Sequence, residues 1–198
     1  MSRQYRQRRC FAPLLLASDG NFYGTTPDGP TSSGGTVFRT LPTGVVHVIY
    51  NFDGIHGSAP YGPVVQGSDG FLYGTTDLGG SIPNAGGVVF RMSLSGAIKV
   101  LHQFDTTTTD GNQPVAGLVA ASDGNFYGAA AGGAAPATYG TLFEISKSGA
   151  FSVLHTFDGT HGGIQYANGD AAHEWLYQWA TESVIRRRFN RGGHLQPE

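Results

Sequence analysis

The stretch SDGNFYGTT at Ser18 to Thr26 returns as SDGFLYGTT at Ser68 to Thr76 and as SDGNFYGAA at Ser122 to Ala130. Other landmarks travel with it. Phe38, Phe90 and Phe143 recur at the same interval, as do Phe52, Phe104 and Phe157, all about fifty residues apart. Landmarks that move together mark one structural unit copied along the chain, with loops of variable length between its fixed parts. The copies span 13–62, 63–117 and 118–163, with a non-repeat segment 1–12 before them and a tail 164–198 after them. A chain of this kind folds by packing each unit against the next.

Turn residues divide each copy into four strands. The first is short and apolar: LLLA, VVQG or LVAA. An Asp-Gly pair follows (Asp19-Gly20, Asp69-Gly70, Asp123-Gly124), a sequence that favours a two-residue hairpin turn. The second strand is NFYGTT or its equivalent, and the third is GTVFR, GVVFR or GTLFE. The fourth, VVHVIYNF, AIKVLHQF or AFSVLHTF, closes on Asp53, Asp105 or Asp158. Charged residues are 13% of the chain and 31 residues are Gly, a composition that suits tight turns and short strands better than helices.

Adjacent side chains of a strand face opposite ways, so Phe22 and Tyr23 place one aromatic on each face of their sheet. Leu72 with Tyr73 and Phe126 with Tyr127 do the same, and so do Val37 with Phe38 in the third strand. A sheet with one wet face alternates apolar with polar. These sheets are apolar on both faces, so both need cover, and the neighbouring copy is the natural one. Gly24, Gly74 and Gly128 are then expected where one sheet approaches the next closely, with a bulge as the alternative. The expected fold is all-β: a partial β-propeller of three four-stranded antiparallel blades stacked face to face, plus a degenerate fourth.

The sequence of SDGNFYGTT, GGTVFR, VIYNFDG and GSAPYGPVVQGSDG resembles the GloVer tandem repeats of bacterial choice-of-anchor proteins. The resemblance covers Phe11 to about Gly163. It implies a secreted or cell-surface, propeller-like protein of many repeats, and it brings no catalytic residues or cofactor. Arg3 to Arg9 followed by CFAPLLLA has the order of a signal peptide. Its apolar part is short, contains Pro13 and runs straight into the first repeat, so it reads as non-signal.

The tail departs from the repeat. Spacing places a fourth DGNFYG near residue 175, where EWLYQW stands instead, and Trp175 and Trp179 occupy the two glycine positions. Tryptophan has one codon, TGG, which read one nucleotide later encodes glycine. Two readings account for the tail: a frameshift between Ile164 and His173 that scrambled a true fourth blade, or divergence of that copy. On either reading the chain is expected to be a fragment of a larger propeller. Three blades cannot close a ring, since closed propellers have roughly 4–8. An apolar face left bare at each end is a route to self-association.

Net charge is −2, so no basic footprint argues for nucleic acid. No apolar run approaches the roughly 18 residues that a membrane span needs. One cysteine, Cys10, excludes an internal disulfide and a Cys-based zinc site. The recurring Ser-Asp-Gly triplets sit at a turn, which argues for turn chemistry, with Asp or Ser bonded to nearby backbone NH groups. FDGIHG and FDGTHG put an Asp and a His three residues apart in a Gly-rich loop. Asp53, His56, Asp105, Asp158 and His161 are therefore the candidates to line one rim and hold a sugar hydroxyl or a cation, against turn capping as the plainer role. His102 and His155 share a strand-four position with Tyr50, where alternation puts them on one face with Val100 and Phe104, or Val153 and Phe157.

No catalytic residue, metal site or cofactor is assigned. The expected function is a non-catalytic binding or scaffold module with a glycan or surface protein as partner. The alternative is a propeller hydrolase or lyase acting on a glycan, with its site at the blade axis or rim. An enzyme of that kind needs polar residues that break the repeat symmetry, whereas these copies differ mainly in loop length.

Overall fold

The structure, a computed structural model, describes residues 12–29, 34–132 and 139–158. Cys10, His161, Trp175, Trp179 and the whole tail lie outside the described residues, and with them the fourth blade and the frameshift reading. The described residues contain no helix and form three four-stranded antiparallel sheets, each in sequence order. Blade 1 is β1 (Leu15–Leu16), β2 (Phe22–Thr26), β3 (Thr36–Thr40) and β4 (Val46–Asn51). Blade 2 is β5 (Val65–Gln66), β6 (Leu72–Thr76), β7 (Ala85–Met92) and β8 (Ile98–Asp105). Blade 3 is β9 (Val119–Ala120), β10 (Phe126–Ala130), β11 (Thr141–Ile145) and β12 (Phe151–Thr156).

The turn between the first two strands of each blade differs from the two-residue hairpin expected of Asp-Gly. Ala17 N–H donates to Asn21 O at 2.9 Å and Gly20 N–H to Ala17 O at 3.0 Å, which makes Ser18, Asp19 and Gly20 a three-residue loop. Only its glycine has positive φ, +78°, while Asp19 stays out of that region. The same bonds recur around Gly70 and Gly124. A type I turn followed by a left-handed residue explains the pattern, and it leaves the Asp carboxylate free to bond elsewhere.

The recurring glycines of the second strand also have a different role from the one expected. Gly24 lies directly opposite Phe38, Gly74 opposite Phe90 and Gly128 opposite Phe143. A Cβ on Gly24 or Gly74 would lie 2.6 Å from the ring of that Phe, which belongs to the adjacent strand of the same sheet. Each glycine makes room for a cross-strand aromatic, not for the next sheet, and the packing of ring over glycine pins the register. The bulge sits elsewhere. Phe38 pairs with Val48 and Val37 with Tyr50, so Ile49 is the extra residue of β4, as Leu101 is in β8 and Leu154 in β12.

The bulge corrects the alternation argument for His102. Val100 opposes Phe90 and packs towards blade 1, whereas His102 opposes Val89 and, with Leu101 and Phe104, faces blade 3. One extra residue reverses the facing of all that precedes it. Two cores result. Tyr23, Val37 and Phe52 of blade 1 meet Val64, Leu72, Val88, Phe90 and Met92 of blade 2. Tyr73, Val89 and Phe104 of blade 2 meet Leu118, Phe126, Phe143 and Ile145 of blade 3. Phe52 meets Phe90 edge-on at 5.4 Å between centroids, Phe104 meets Phe143 at 5.3 Å, and Tyr73 stacks on Phe126 at 4.0 Å. Each such side chain, fully buried, contributes roughly 1.5–3 kcal/mol.

The first strands of neighbouring sheets draw together: β5 touches β9, and a Cβ on Gly117 would lie 2.6 Å from Pro63. Sheets stacked on both faces and converging at their first strands make part of a β-propeller. Backbone staples join the blades on this side. Ala59, at φ 56°, donates to Gly34 O of blade 1 at 2.7 Å and accepts from Asp77 N–H of blade 2 at 3.1 Å. Gln113, also at φ 56°, repeats this with Gly86 and Ala131.

Candidate functional site

The loop that leaves each outer strand is the place where the copies differ most and where the sequence puts its candidates. After β4, Asp53 folds the chain back on itself. Its Oδ1 accepts His56 N–H at 2.8 Å and its Oδ2 meets His56 Nδ1 at 2.7 Å, with both side chains more than two-fifths exposed. Burial works to raise the Asp53 carboxyl, and the bonds from His56 outweigh it, so its pKa lies below the ordinary value. The tip of this loop packs on blade 2, where a Cβ on Gly57 would strike the Thr76 side chain. The pair fixes an exposed imidazole by its Nδ1.

The equivalent loop of blade 2 is built otherwise. Asp105 Oδ1 accepts Thr107 N–H at 2.8 Å and Thr107 Oγ1 at 2.7 Å, and these bonds hold its carboxyl below the ordinary value. The imidazole of this loop comes from the strand: His102 Nε2 lies 2.9 Å from Asp110 Oδ2. His102 is four-fifths buried and lies flat on Phe151 of blade 3, with centroids 3.7 Å apart and planes within 3°. Burial lowers the His102 pKa, and the Asp110 carboxylate only partly offsets it. Nothing in the sequence identified Asp110, because its loop is an insertion of copy two alone. Asp158, after β12, is engaged in an interaction of its own, and His161 lies outside the described residues. Among the described residues, no three or more His, Cys, Asp or Glu gather where they could hold a metal ion, so Asp53, Asp105 and Asp158 are not brought together.

The recurring Asp of the first turn has a partner that sequence reading missed. Tyr23 Oη donates to Asp19 Oδ2 at 2.8 Å, Tyr73 Oη to Asp69 Oδ2 at 2.7 Å and Tyr127 Oη to Asp123 Oδ2 at 2.6 Å. The Asp–Tyr spacing, four residues in every copy, was the available signal. Burial and the Asp partner push the Tyr23 and Tyr73 hydroxyls up to about 12. The carboxylate's other oxygen accepts a backbone N–H, as from Asn21 at 3.1 Å and Asn125 at 2.9 Å. The Tyr127 bond, with Asn125, holds Asp123 below its ordinary pKa. These groups lock each blade's inner hairpin onto its second strand.

A family model, the Gloeobacter/Verrucomicrobia repeat, matches residues 4–188. The chain belongs to this repeat family. The match takes in all three blades and most of the tail. No curated protein matches the chain. Among solved structures, a crystal structure described as that of a gluconolactonase is 16% identical, with a TM-score of 0.44 over 76% of this chain. This chain spans 48% of that structure's length. Among the described residues of this repeat protein, no helix is long and apolar enough to cross a membrane.

Proposed function

We propose that this repeat protein is a non-catalytic binding or scaffold module of a secreted or cell-surface protein, presenting its inter-blade loops to a glycan or a surface protein. One observation supports this above others. The polar groups that recur in every copy, Asp19, Asp69 and Asp123 with their tyrosines, are spent on holding the blades, while the exposed polar groups differ from loop to loop. Recognition by display needs a constant frame and variable loops. The surface location rests on the resemblance to GloVer repeats. The test is a glycan panel and a calcium titration, each read by thermal shift of the full chain, with Asp53→Ala and Asp105→Ala alongside. Binding without turnover, weakened by either loop variant, is the expected outcome. The Asp53–His56 pair favours a second reading, a hydrolase or lyase acting on a glycan. Turnover of a panel member that is lost in His56→Ala would replace the first reading with the second.

A further inference from the structure

Among the described residues, the two end faces of the three-blade stack are bare in a way that specifies their partner. On blade 1 the outward face carries Leu16, Val46 and Val48, which are 61%, 60% and 50% exposed, around the half-buried rings of Phe22 and Phe38. The equivalent places on blade 2, among them Leu72, Phe90, Ile98 and Val100, are packed on blade 1. On blade 3 the outward face carries Leu154, 48% exposed, with Tyr127, Leu142 and His155 half-buried beside it. Their equivalents on blade 2, namely Leu101, Tyr73, Val89 and His102, are packed on blade 3. Each end is thus one half of an interface that the molecule already makes twice.

A glycine marks the same incompleteness independently. A Cβ on Gly149 would lie 3.0 Å from the carbonyl oxygen of the Leu101 bulge, and one on Gly96 would strike that of the Ile49 bulge. Gly44, at the same turn of blade 1, has nothing within 4 Å. The missing neighbour is a bulge carbonyl like that of Leu154, which sits on the opposite end of the stack. Like-with-like pairing of the ends would not supply it.

We propose that two copies of this chain join head to tail, the blade 3 face of each seated on the blade 1 face of the other, closing a six-bladed ring. This goes beyond the display function and does not depend on it. The joint is heterologous, and such joints either close or run on as filaments. Two stacks of three blades make six, within the roughly 4–8 blades of closed propellers.

Native mass spectrometry and light scattering of the full chain test this, with Val48→Lys on one end and Leu154→Lys on the other. Both positions are exposed, so circular dichroism of the variants should match the parent. The parent should be a dimer. Either variant alone spoils both joints and should raise the dissociation constant more than about a hundredfold, because each joint then buries an unpaired charge. An equal mixture of the two variants should recover a mixed dimer held by one unaltered joint. A monomeric parent, with its own tail over an end face, overturns the proposal. So does a ladder of larger species, or a dimer that Val48→Lys abolishes and Leu154→Lys leaves intact.

Discussion

Phe90 and Phe38 occupy the same place in the repeat, opposite a glycine in the second strand, yet Phe90 is sealed and Phe38 is half-exposed. The same holds for Leu72 against Phe22 and for Tyr73 against Tyr127. The difference lies outside the repeat unit. Among the described residues, blade 2 has a blade on each side, whereas blades 1 and 3 each have one. Local sequence builds the sheet in all three cases, through the turn, the ring over glycine and the Asp–Tyr bond. Burial, and with it most of the stabilisation, is conferred by the neighbour.

Truncating the cross-strand ring breaks this comparison most sharply. Phe90→Ala removes a ring buried on all sides and should cost about 3–5 kcal/mol of unfolding free energy. Phe38→Ala should cost no more than about half as much, since part of its surface already faces water. Urea titrations of both variants check the ratio. Equal losses would mean that the blade 1 face is covered in solution, which would also favour the ring of two copies.

The Asp–Tyr bond gives a smaller contrast. Tyr73→Phe should cost about 1.5–3 kcal/mol, the worth of a hydrogen bond to a charged group. Tyr127→Phe should cost under about 1 kcal/mol, because that bond is exposed to competing water. The same bonds set an alkaline limit. Tyr23 and Tyr73 titrate near 12 in the fold against 10.0 ordinarily, so between those values the unfolded chain loses protons that the folded chain keeps. Their contribution is complete below pH 10 and is lost as pH rises towards 12. Urea midpoints across this range should fall, and the double variant Tyr23→Phe, Tyr73→Phe should flatten the decline.

His102 sharpens the comparison from the acid side. It is buried against Phe151 with its pKa lowered, whereas His155, its equivalent on blade 3, is half-exposed. The unfolded chain therefore takes up a proton below pH 6.5 that folded His102 refuses. Stability from this residue is complete above pH 6.5 and is lost as pH falls below it. His102→Phe should remove that part of the acid sensitivity. Urea midpoints between pH 7 and 5 decide; an acid decline that His102→Phe leaves unchanged would refute the assignment.

The sheet count, the strand order and the need to cover both faces were legible because aromatic pairs and turn glycines recur three times in fixed order. What was not legible has a common cause. A bulge adds one residue without any change of composition, so alternation assigned His102 to the face of Val100 when Leu101 intervenes. Asp-Gly is compatible with more than one turn, and only the backbone shows that Asp19 avoids positive φ and so offers its carboxylate to Tyr23. Gly24 read as a place for another sheet because the ring that fills it, Phe38, is distant in sequence. In the loops, spacing put Asp53 near His56 but could not show that they bond. Asp110 was invisible because its partner is in a strand and its loop exists in a single copy.

The smallest expected effect asks whether the two blade junctions are equivalent. Ala59 joins blade 1 to blade 2 and Gln113 joins blade 2 to blade 3, each through two backbone bonds that hold a non-glycine residue at φ 56°. Left-handed backbone costs such a residue roughly 1–2 kcal/mol, while glycine there loses about 0.5–1 kcal/mol more chain entropy on folding. Ala59→Gly and Gln113→Gly should therefore each stabilise the protein by under about 1 kcal/mol, provided Gln113 gains nothing further from its side chain. If the blades unfold as one unit, the two gains appear equally in a single urea transition. If blade 3 opens on its own, Gln113→Gly moves only the earlier of two transitions and Ala59→Gly moves the later. Amide exchange resolved by blade separates these cases, because a shared unit gives β6 and β10 the same protection and independent opening leaves β10 weaker.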